Sequence, residues 1–105
     1  MKRISIFGAT GSIGTNACSI ISSNLSKYNV EVLSANKNYK KLARLAKKLN
    51  SKYAIISDNR YYKQLRNELS GSKVKCLSGE DELANLASLK TDLTIASIVG
   101  IAGLK

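Results

Sequence analysis

The chain has 105 residues, 44% of them hydrophobic, which is enough for one small globular domain with a single core. It contains no histidine, which excludes a Ser-His-Asp triad and a His-ligated metal site within it. Its net charge of +10 indicates an anionic partner, such as a phosphate ligand, nucleic acid or a membrane surface, or else a lysine-rich solvated surface.

The first predicted elements surround a glycine-rich turn. Lys2–Phe7 is predicted to be a buried strand and residues 8–11 a turn. A helix is predicted from Ser12 to about Ser23, because apolar residues recur there at helical spacing. The members of this apolar stripe are Ile13, Ala17, Ile20 and Ile21.

The rest of the chain alternates between strand-like and helix-like segments. Further strands are predicted at 30–35, 53–57, 73–77 and 92–99. Helices are predicted from Asn38, as an N-cap, to about residue 49, from Asp58 or Asn59 to about 69, and from 80 to about 89. This alternation predicts one α/β domain over residues 1–105, a Rossmann-like, doubly wound parallel sheet of about five strands with helices on both faces.

Signals for the cellular setting are few. Cys18 and Cys76 are far apart and match no metal-binding spacing, which favours a reduced, cytoplasmic environment. The first predicted strand begins by Arg3, which leaves no room for a signal peptide. The longest mostly apolar run, residues 94–104, is too short to span a bilayer. We therefore expect no membrane partner.

The stretch 8–14 reads GATGSIG, with glycines at G-x-x-G-x-x-G spacing between a strand and a helix. In dinucleotide-binding folds the first glycine permits the tight turn, the second lets a pyrophosphate approach the backbone, and the third lets helix and sheet pack. Amides of the turn and of the first helical turn then point at the phosphates, and the hydroxyls of Thr10 and Ser12 can add donors. The stretch predicts dinucleotide binding, with a plain structural turn as the alternative.

The end of the second strand discriminates between cofactors. An enzyme that uses NAD usually places Asp or Glu there, about 20 residues past the glycines, to bind the ribose hydroxyl. Residues 34–38 read SANKN and contain no carboxylate. Lys37 between two asparagines at a helix start suits a 2′-phosphate, so NADP is predicted over NAD. The alternative for Lys37 is a solvated surface lysine, and most of the basic run 40–48 is predicted to be a solvated helix face.

No residue of this chain is predicted to be a catalyst. The acidic residues lie in turns or exposed helix starts without metal-ligand spacing, and neither Tyr61 nor Tyr62 is followed by lysine at the spacing of short-chain reductases. The small residues of 96–100, ASIVG, end the fifth strand. They suit either a nicotinamide lying against the sheet edge or simple core packing, and the sequence leaves both open.

Four stretches in the same order and spacing carry a resemblance to a known family: GATGSIG at 8–14, ANKN at 35–38, LSG at 77–79 and ASIVGIAGL at 96–104. Over its whole length the chain resembles the N-terminal part of 1-deoxy-D-xylulose 5-phosphate reductoisomerases. The resemblance implies three groups of NADPH contacts. The pyrophosphate would be lined by Gly8, Thr10, Gly11, Ser12 and Ile13, the adenosine ribose and its 2′-phosphate by Asn36, Lys37 and Asn38, and the nicotinamide by Ala96, Ser97 and Ile98. Asn36 departs from the glycine that the family often has.

The resemblance also implies properties of a longer enzyme. Such an enzyme converts 1-deoxy-D-xylulose 5-phosphate to 2-C-methyl-D-erythritol 4-phosphate with NADPH and Mg²⁺ or Mn²⁺, as a homodimer. Its metal ligands, lid and phosphosugar site lie downstream of Lys105, so we expect this chain to bind NADPH without turnover.

Two other functions are alternatives to this one. Another NADP-dependent oxidoreductase, of the semialdehyde dehydrogenase or sugar-nucleotide epimerase type, also begins with such a turn, but the Asn-Lys-Asn stretch and the fifth-strand motif argue against it. A basic nucleic-acid-binding module fits the charge, yet it has no evident aromatic platform. We expect no nucleic-acid partner.

Overall fold

The computed structural model describes residues 2–87 and 91–96. Within them the strands are β1 (Lys2–Phe7), β2 (Tyr28–Ala35), β3 (Tyr53–Ile56), β4 (Lys75–Ser78) and β5 (Leu93–Ala96). The helices are α1 (Ser12–Ser22), α2 (Tyr39–Leu49), α3 (Tyr62–Glu68) and α4 (Glu80–Ala87), with a single 3-10 turn at Asn59–Tyr61. The predicted alternation of strands and helices is confirmed.

All neighbouring strands run parallel, in the order β4-β3-β2-β1-β5. The chain therefore moves outward from β1 to β4 and then returns to add β5 on the other side of β1. This reversal places the carboxyl ends of β1 and β5 side by side, with Phe7 opposite Ala96. In open α/β sheets, ligands bind at such a switch point.

Both faces of the sheet are covered, as predicted. On one face, α1, α2 and α3 bury the larger cluster, which includes Ile6 and Leu33. On the other, α4 packs Leu86 against Phe7 and Val32. The neighbours Val32 and Leu33 belong to different clusters because successive side chains of a strand point to opposite faces.

The predicted apolar stripe of α1 is wrong at one position. Ile20 is 64% exposed, whereas Cys18 and Ile21 are buried. Successive helical residues are rotated by about 100°, so a helix that buries positions 18 and 21 turns position 20 towards solvent. Ala17, another predicted member, packs partly buried against the core.

Several boundaries differ from those predicted. β2 begins two residues early, at Tyr28, and β4 begins at Lys75 rather than at residue 73. The third helix is divided, because the side chain of Asp58 caps the 3-10 turn and α3 then starts at Tyr62. The predicted ends of the fourth helix and fifth strand, at residues 88–89 and 97–99, lie outside the described residues. No helix in the described part of the chain has the length and apolarity needed to cross a bilayer.

Candidate functional site

The glycine turn is fastened to β1's neighbour, β2, by two hydrogen bonds to one serine. The Gly8 amide donates to Ser34 Oγ at 3.0 Å, and the Ala9 amide donates to the Ser34 carbonyl at 2.8 Å. The Gly11 amide closes the turn by donating to the Gly8 carbonyl at 3.1 Å. Gly8 has φ +81°, a left-handed conformation that favours glycine, so its predicted role in the turn is confirmed.

Helix α1 begins at this turn without a side-chain cap. Its N-cap is Gly11, which has no side chain to accept a bond from the first-turn amides. The first amides of any helix lack intrahelical acceptors and lie at the positive end of the helix dipole. An uncapped helix start at the switch point therefore leaves backbone donors for an anionic ligand.

The two glycines at positions 11 and 14 differ in the space around them. A Cβ added at Gly14 meets the Ala9 Cα at 2.7 Å and lies closer still to the Gly8 carbonyl oxygen, so no larger residue fits. A Cβ at Gly11 meets its nearest atom, that same oxygen, at 3.5 Å, an ordinary contact. The backbone of Gly11, with φ −77° and ψ 174°, suits any residue. Internal packing thus explains Gly14 but not Gly11.

A lysine of α2 reaches the same turn. Lys41 Nζ donates to the Thr10 carbonyl oxygen at 3.2 Å, and its side chain is half-buried. This contact departs from the prediction that most of the basic run 40–48 is a solvated helix face. The available signal is that position 41 lies one turn from Lys37, at the same end of α2. The contact places an ammonium group beside the predicted pyrophosphate site.

The next predicted segment, residues 36–38, is exposed at the carboxyl end of β2. The Asn38 side chain accepts a bond from the Lys41 amide at 3.3 Å, which confirms the predicted cap of α2. The Tyr39 amide donates to the Lys37 carbonyl at 2.8 Å, a tight turn around Asn38. With Asn38 Oδ1 engaged in the cap, its Nδ2 is the atom that can donate to a ligand.

The end of β3 lies beside this segment, an arrangement that no sequence pattern predicts. The Asp58 amide donates to the Asn36 carbonyl at 3.1 Å. The Asp58 carboxylate in turn pairs with Arg60, whose Nη2 lies 2.7 Å from Oδ2 and whose Nε lies 3.0 Å from Oδ1. Hydrogen bonds from Arg60, with a smaller effect of the charge on Lys37, lower the pKa of Asp58 to about 2. The carboxylate is therefore ionised at neutral pH.

The predicted nicotinamide residues are only partly placed. Ala96 ends β5 next to Phe7 and so lies at the switch point, as the prediction requires. Ser97 and Ile98 lie outside the described residues. Among residues 2–87 and 91–96, no group of three or more His, Cys, Asp or Glu side chains is arranged to hold a metal ion.

Comparison with known proteins assigns this chain to a family. The sequence profile of the 1-deoxy-D-xylulose 5-phosphate reductoisomerase family matches residues 4–105. The chain belongs to this family. A reductoisomerase from Wolbachia pipientis subsp. Culex pipiens (strain wPip) is 50% identical over 105 residues, which are all of this chain and 27% of that protein. One from Zymomonas mobilis is 43% identical over 104 residues.

Solved reductoisomerase structures share the fold. The enzyme from Zymomonas mobilis in complex with NADPH superposes with a TM-score of 0.90 at 41% identity, over 92% of this chain and 26% of that one. A reductoisomerase complex with magnesium superposes with a TM-score of 0.88 at 33% identity, over 99% of this chain. The chain spans about a quarter of the length of the reductoisomerases that it matches. The resemblance noted in the sequence is thus confirmed.

Proposed function

We propose that this chain is the NADPH-binding N-terminal part of a 1-deoxy-D-xylulose 5-phosphate reductoisomerase. The observation that carries the proposal is Gly11, a glycine for which neither its φ nor its internal packing gives a reason. It lies at an uncapped helix start beside the switch point, where a pyrophosphate needs close access to the backbone. The reductoisomerase from Zymomonas mobilis that superposes on this chain was solved with NADPH, which supports the same ligand here.

The contacts in this proposal follow the cofactor from one end to the other. The amides of Ser12 and Ile13 donate to the pyrophosphate, which approaches over the backbone of Gly11, and the Lys41 ammonium adds positive charge beside the turn. Lys37 attracts the 2′-phosphate, with Asn36 and Asn38 as amide donors to the ribose and phosphate. The remaining contacts, to the nicotinamide, come from the stretch 96–98.

When bound, NADPH would supply a hydride for the reduction in the conversion of 1-deoxy-D-xylulose 5-phosphate that we propose for the whole enzyme. This part of the chain binds and orients the cofactor, and we propose that the phosphosugar and a Mg²⁺ or Mn²⁺ ion are held by other parts of the enzyme. Under the same proposal, this chain is inactive by itself, and the whole protein is a homodimer in the cytoplasm. Its described cysteines, Cys18 and Cys76, are free thiols, which suits a reducing compartment.

A fluorescence titration with NADPH and NADH tests the cofactor assignment. We expect saturable binding of NADPH and a much weaker affinity for NADH. Lys37→Ala is expected to weaken NADPH binding about tenfold and to leave NADH binding unchanged, because a charge-assisted hydrogen bond contributes about 1.5 kcal/mol or more. Lys40→Ala is the matched control, since Lys40 is also exposed but lies over a cavity shared with Glu68. Equal affinity of the unmodified chain for both cofactors would refute the 2′-phosphate site.

A further inference from the structure

We infer that Arg60 is a second residue that determines the preference for NADPH, and that it acts both by contacting the 2′-phosphate and by occupying the Asp58 carboxylate. This inference rests on the function proposed above. Arg60 lies in a different strand–helix connection from Lys37, and no sequence pattern identifies it.

The backbone brings Arg60 to the proposed phosphate site. Where β2 and β3 end, two more hydrogen bonds join the two segments, from the Ser57 amide to the Ala35 carbonyl at 2.9 Å and from the Asp58 amide to the Asn36 carbonyl at 3.1 Å. The start of the 3-10 turn therefore lies directly beside Asn36 and Lys37. The charge of Lys37 contributes to the low pKa of Asp58.

The guanidinium group is held in place from two sides. Asp58 accepts bonds from Nε and from Nη2, a bidentate pair, and the guanidinium carbon lies 5.8 Å from the centre of the Tyr61 ring. Tyr61 is itself stacked on Tyr39, the first residue of α2, with ring centres 5.8 Å apart and planes inclined by 21°. Fixing the side chain in advance reduces the conformational entropy that is lost when it binds a ligand.

The Arg60 guanidinium group keeps N–H donors that Asp58 does not use. The Arg60 side chain is 73% exposed, whereas the Asp58 side chain is only 15% exposed. The bidentate contact uses Nε and one hydrogen of Nη2, so the Nη1 amino group remains as a donor towards solvent or a phosphate. An arginine fork matches the geometry of phosphate oxygens better than the single ammonium of Lys37 does.

Arg60 also determines what Asp58 does. In dinucleotide-binding folds, a carboxylate at the end of the second strand binds the ribose hydroxyl of NAD and repels the 2′-phosphate of NADP. Asp58 follows the third strand but lies beside that position, because its amide donates to the Asn36 carbonyl at 3.1 Å. Here both Asp58 oxygens are engaged by Arg60. Without the Arg60 side chain, Asp58 Oδ1 still accepts the capping bond from the residue-60 amide at 3.0 Å, but Oδ2 becomes a free acceptor, which favours NADH and opposes NADPH.

The test is the affinity of three variants for NADPH and NADH, measured by fluorescence titration. Arg60→Ala is expected to raise the Kd for NADPH about tenfold or more and to lower the Kd for NADH, because the freed carboxylate then acts. Asp58→Asn combined with Arg60→Ala is expected to recover part of the NADPH affinity and to abolish the gain for NADH. Arg66→Ala, which changes an exposed arginine of α3, is the control and is expected to change neither Kd.

The outcomes separate this inference from the proposed function. Preference for NADPH in the unmodified chain that is lost in Lys37→Ala but unchanged in Arg60→Ala overturns the role of Arg60 and leaves the proposed function standing. An equal loss of both cofactors in Arg60→Ala shows a structural role and also overturns the inference. Thermal unfolding of each variant identifies any loss of folding, and equal affinity of the unmodified chain for both cofactors overturns the proposed function itself.

Discussion

The contrast between Gly11 and Gly14 gives a prediction in which two identical substitutions act differently. Gly14→Ala places a methyl group within 2.7 Å of the Ala9 Cα, against backbone atoms of a turn that is closed by its own hydrogen bonds. Such overpacking costs about 3 kcal/mol where backbone cannot move aside, and the better helix propensity of alanine returns about 1 kcal/mol. The expected net loss of about 2 kcal/mol lowers the Tm of a domain of this size by about 8–16 °C.

Gly11→Ala is expected to leave the stability of the unliganded chain nearly unchanged. The methyl group meets its nearest atom, the Gly8 carbonyl oxygen, at 3.5 Å, and φ is already negative. Alanine is a poorer N-cap than glycine but restricts the unfolded chain more, and these effects of about 0.5–1 kcal/mol oppose each other. The same methyl occupies the space through which a pyrophosphate approaches, so the Kd for NADPH is expected to rise at least about tenfold.

Thermal unfolding followed by circular dichroism measures the first effect, and NADPH fluorescence measures the second. The reasoning is refuted if Gly14→Ala melts at the temperature of the unmodified chain, because the close contacts would then relax without cost. It is refuted equally if Gly11→Ala is stable and binds NADPH as tightly as before, because the role of the second glycine would then lie elsewhere.

The other predictions concern charge and burial. Lys41→Met should weaken NADPH and NADH binding by the same factor in titrations, because both carry the pyrophosphate; a loss confined to NADPH would contradict its placement beside Thr10. The affinity for NADPH, but not for NADH, should rise as pH increases through about 6, where a phosphate monoester loses its second proton. The chain has no histidine and burial raises both cysteine pKa values, that of Cys76 to about 11, so a parallel change for NADH would contradict this assignment. In denaturant unfolding, Ile21→Ala should cost about 2–4 kcal/mol and the exposed Ile20→Ala less than about 0.5 kcal/mol, whereas equal losses would place Ile20 in the core.

The sequence predicted most of the fold because local signals agreed with the global pattern. Apolar runs of strand length alternated with helical stripes, and Asn38 stood where a cap was needed, so the element order and the sheet class followed. Ile20 shows the limit of such signals. Three isoleucines at approximate helical spacing look alike in the sequence, and only packing against α2 and the sheet determines which of them faces the core.

Candidate site residues can be predicted from the sequence where they are contiguous, but not where the fold brings distant residues together. The glycine turn and residues 36–38 are short segments with recognisable spacing, so the sequence alone identifies them as candidates. Helix packing determines the position of Lys41, and the β2–β3 register determines that of Arg60. Neither can be recognised from a local run of residues. Asp58 looked like a helix cap, which it is, but its neighbour Asn36 is 22 positions away in the chain.

The place of β1 between β2 and β5 has a consequence for folding order. β1 pairs with β2 across a loop of moderate length, but it pairs with β5 across almost the whole chain, where the Arg3 amide donates to the Asp92 carboxylate at 2.8 Å and the Asp92 amide to the Arg3 carbonyl at 2.9 Å. Closing the longer loop costs more entropy, so β5 is expected to join the sheet late and to open first. The β5 side of the switch point is therefore the side that opens most readily. Amide hydrogen exchange should be faster in β5 than in β2, and a dinucleotide bound across β1 and β5 should slow the exchange of β5 selectively.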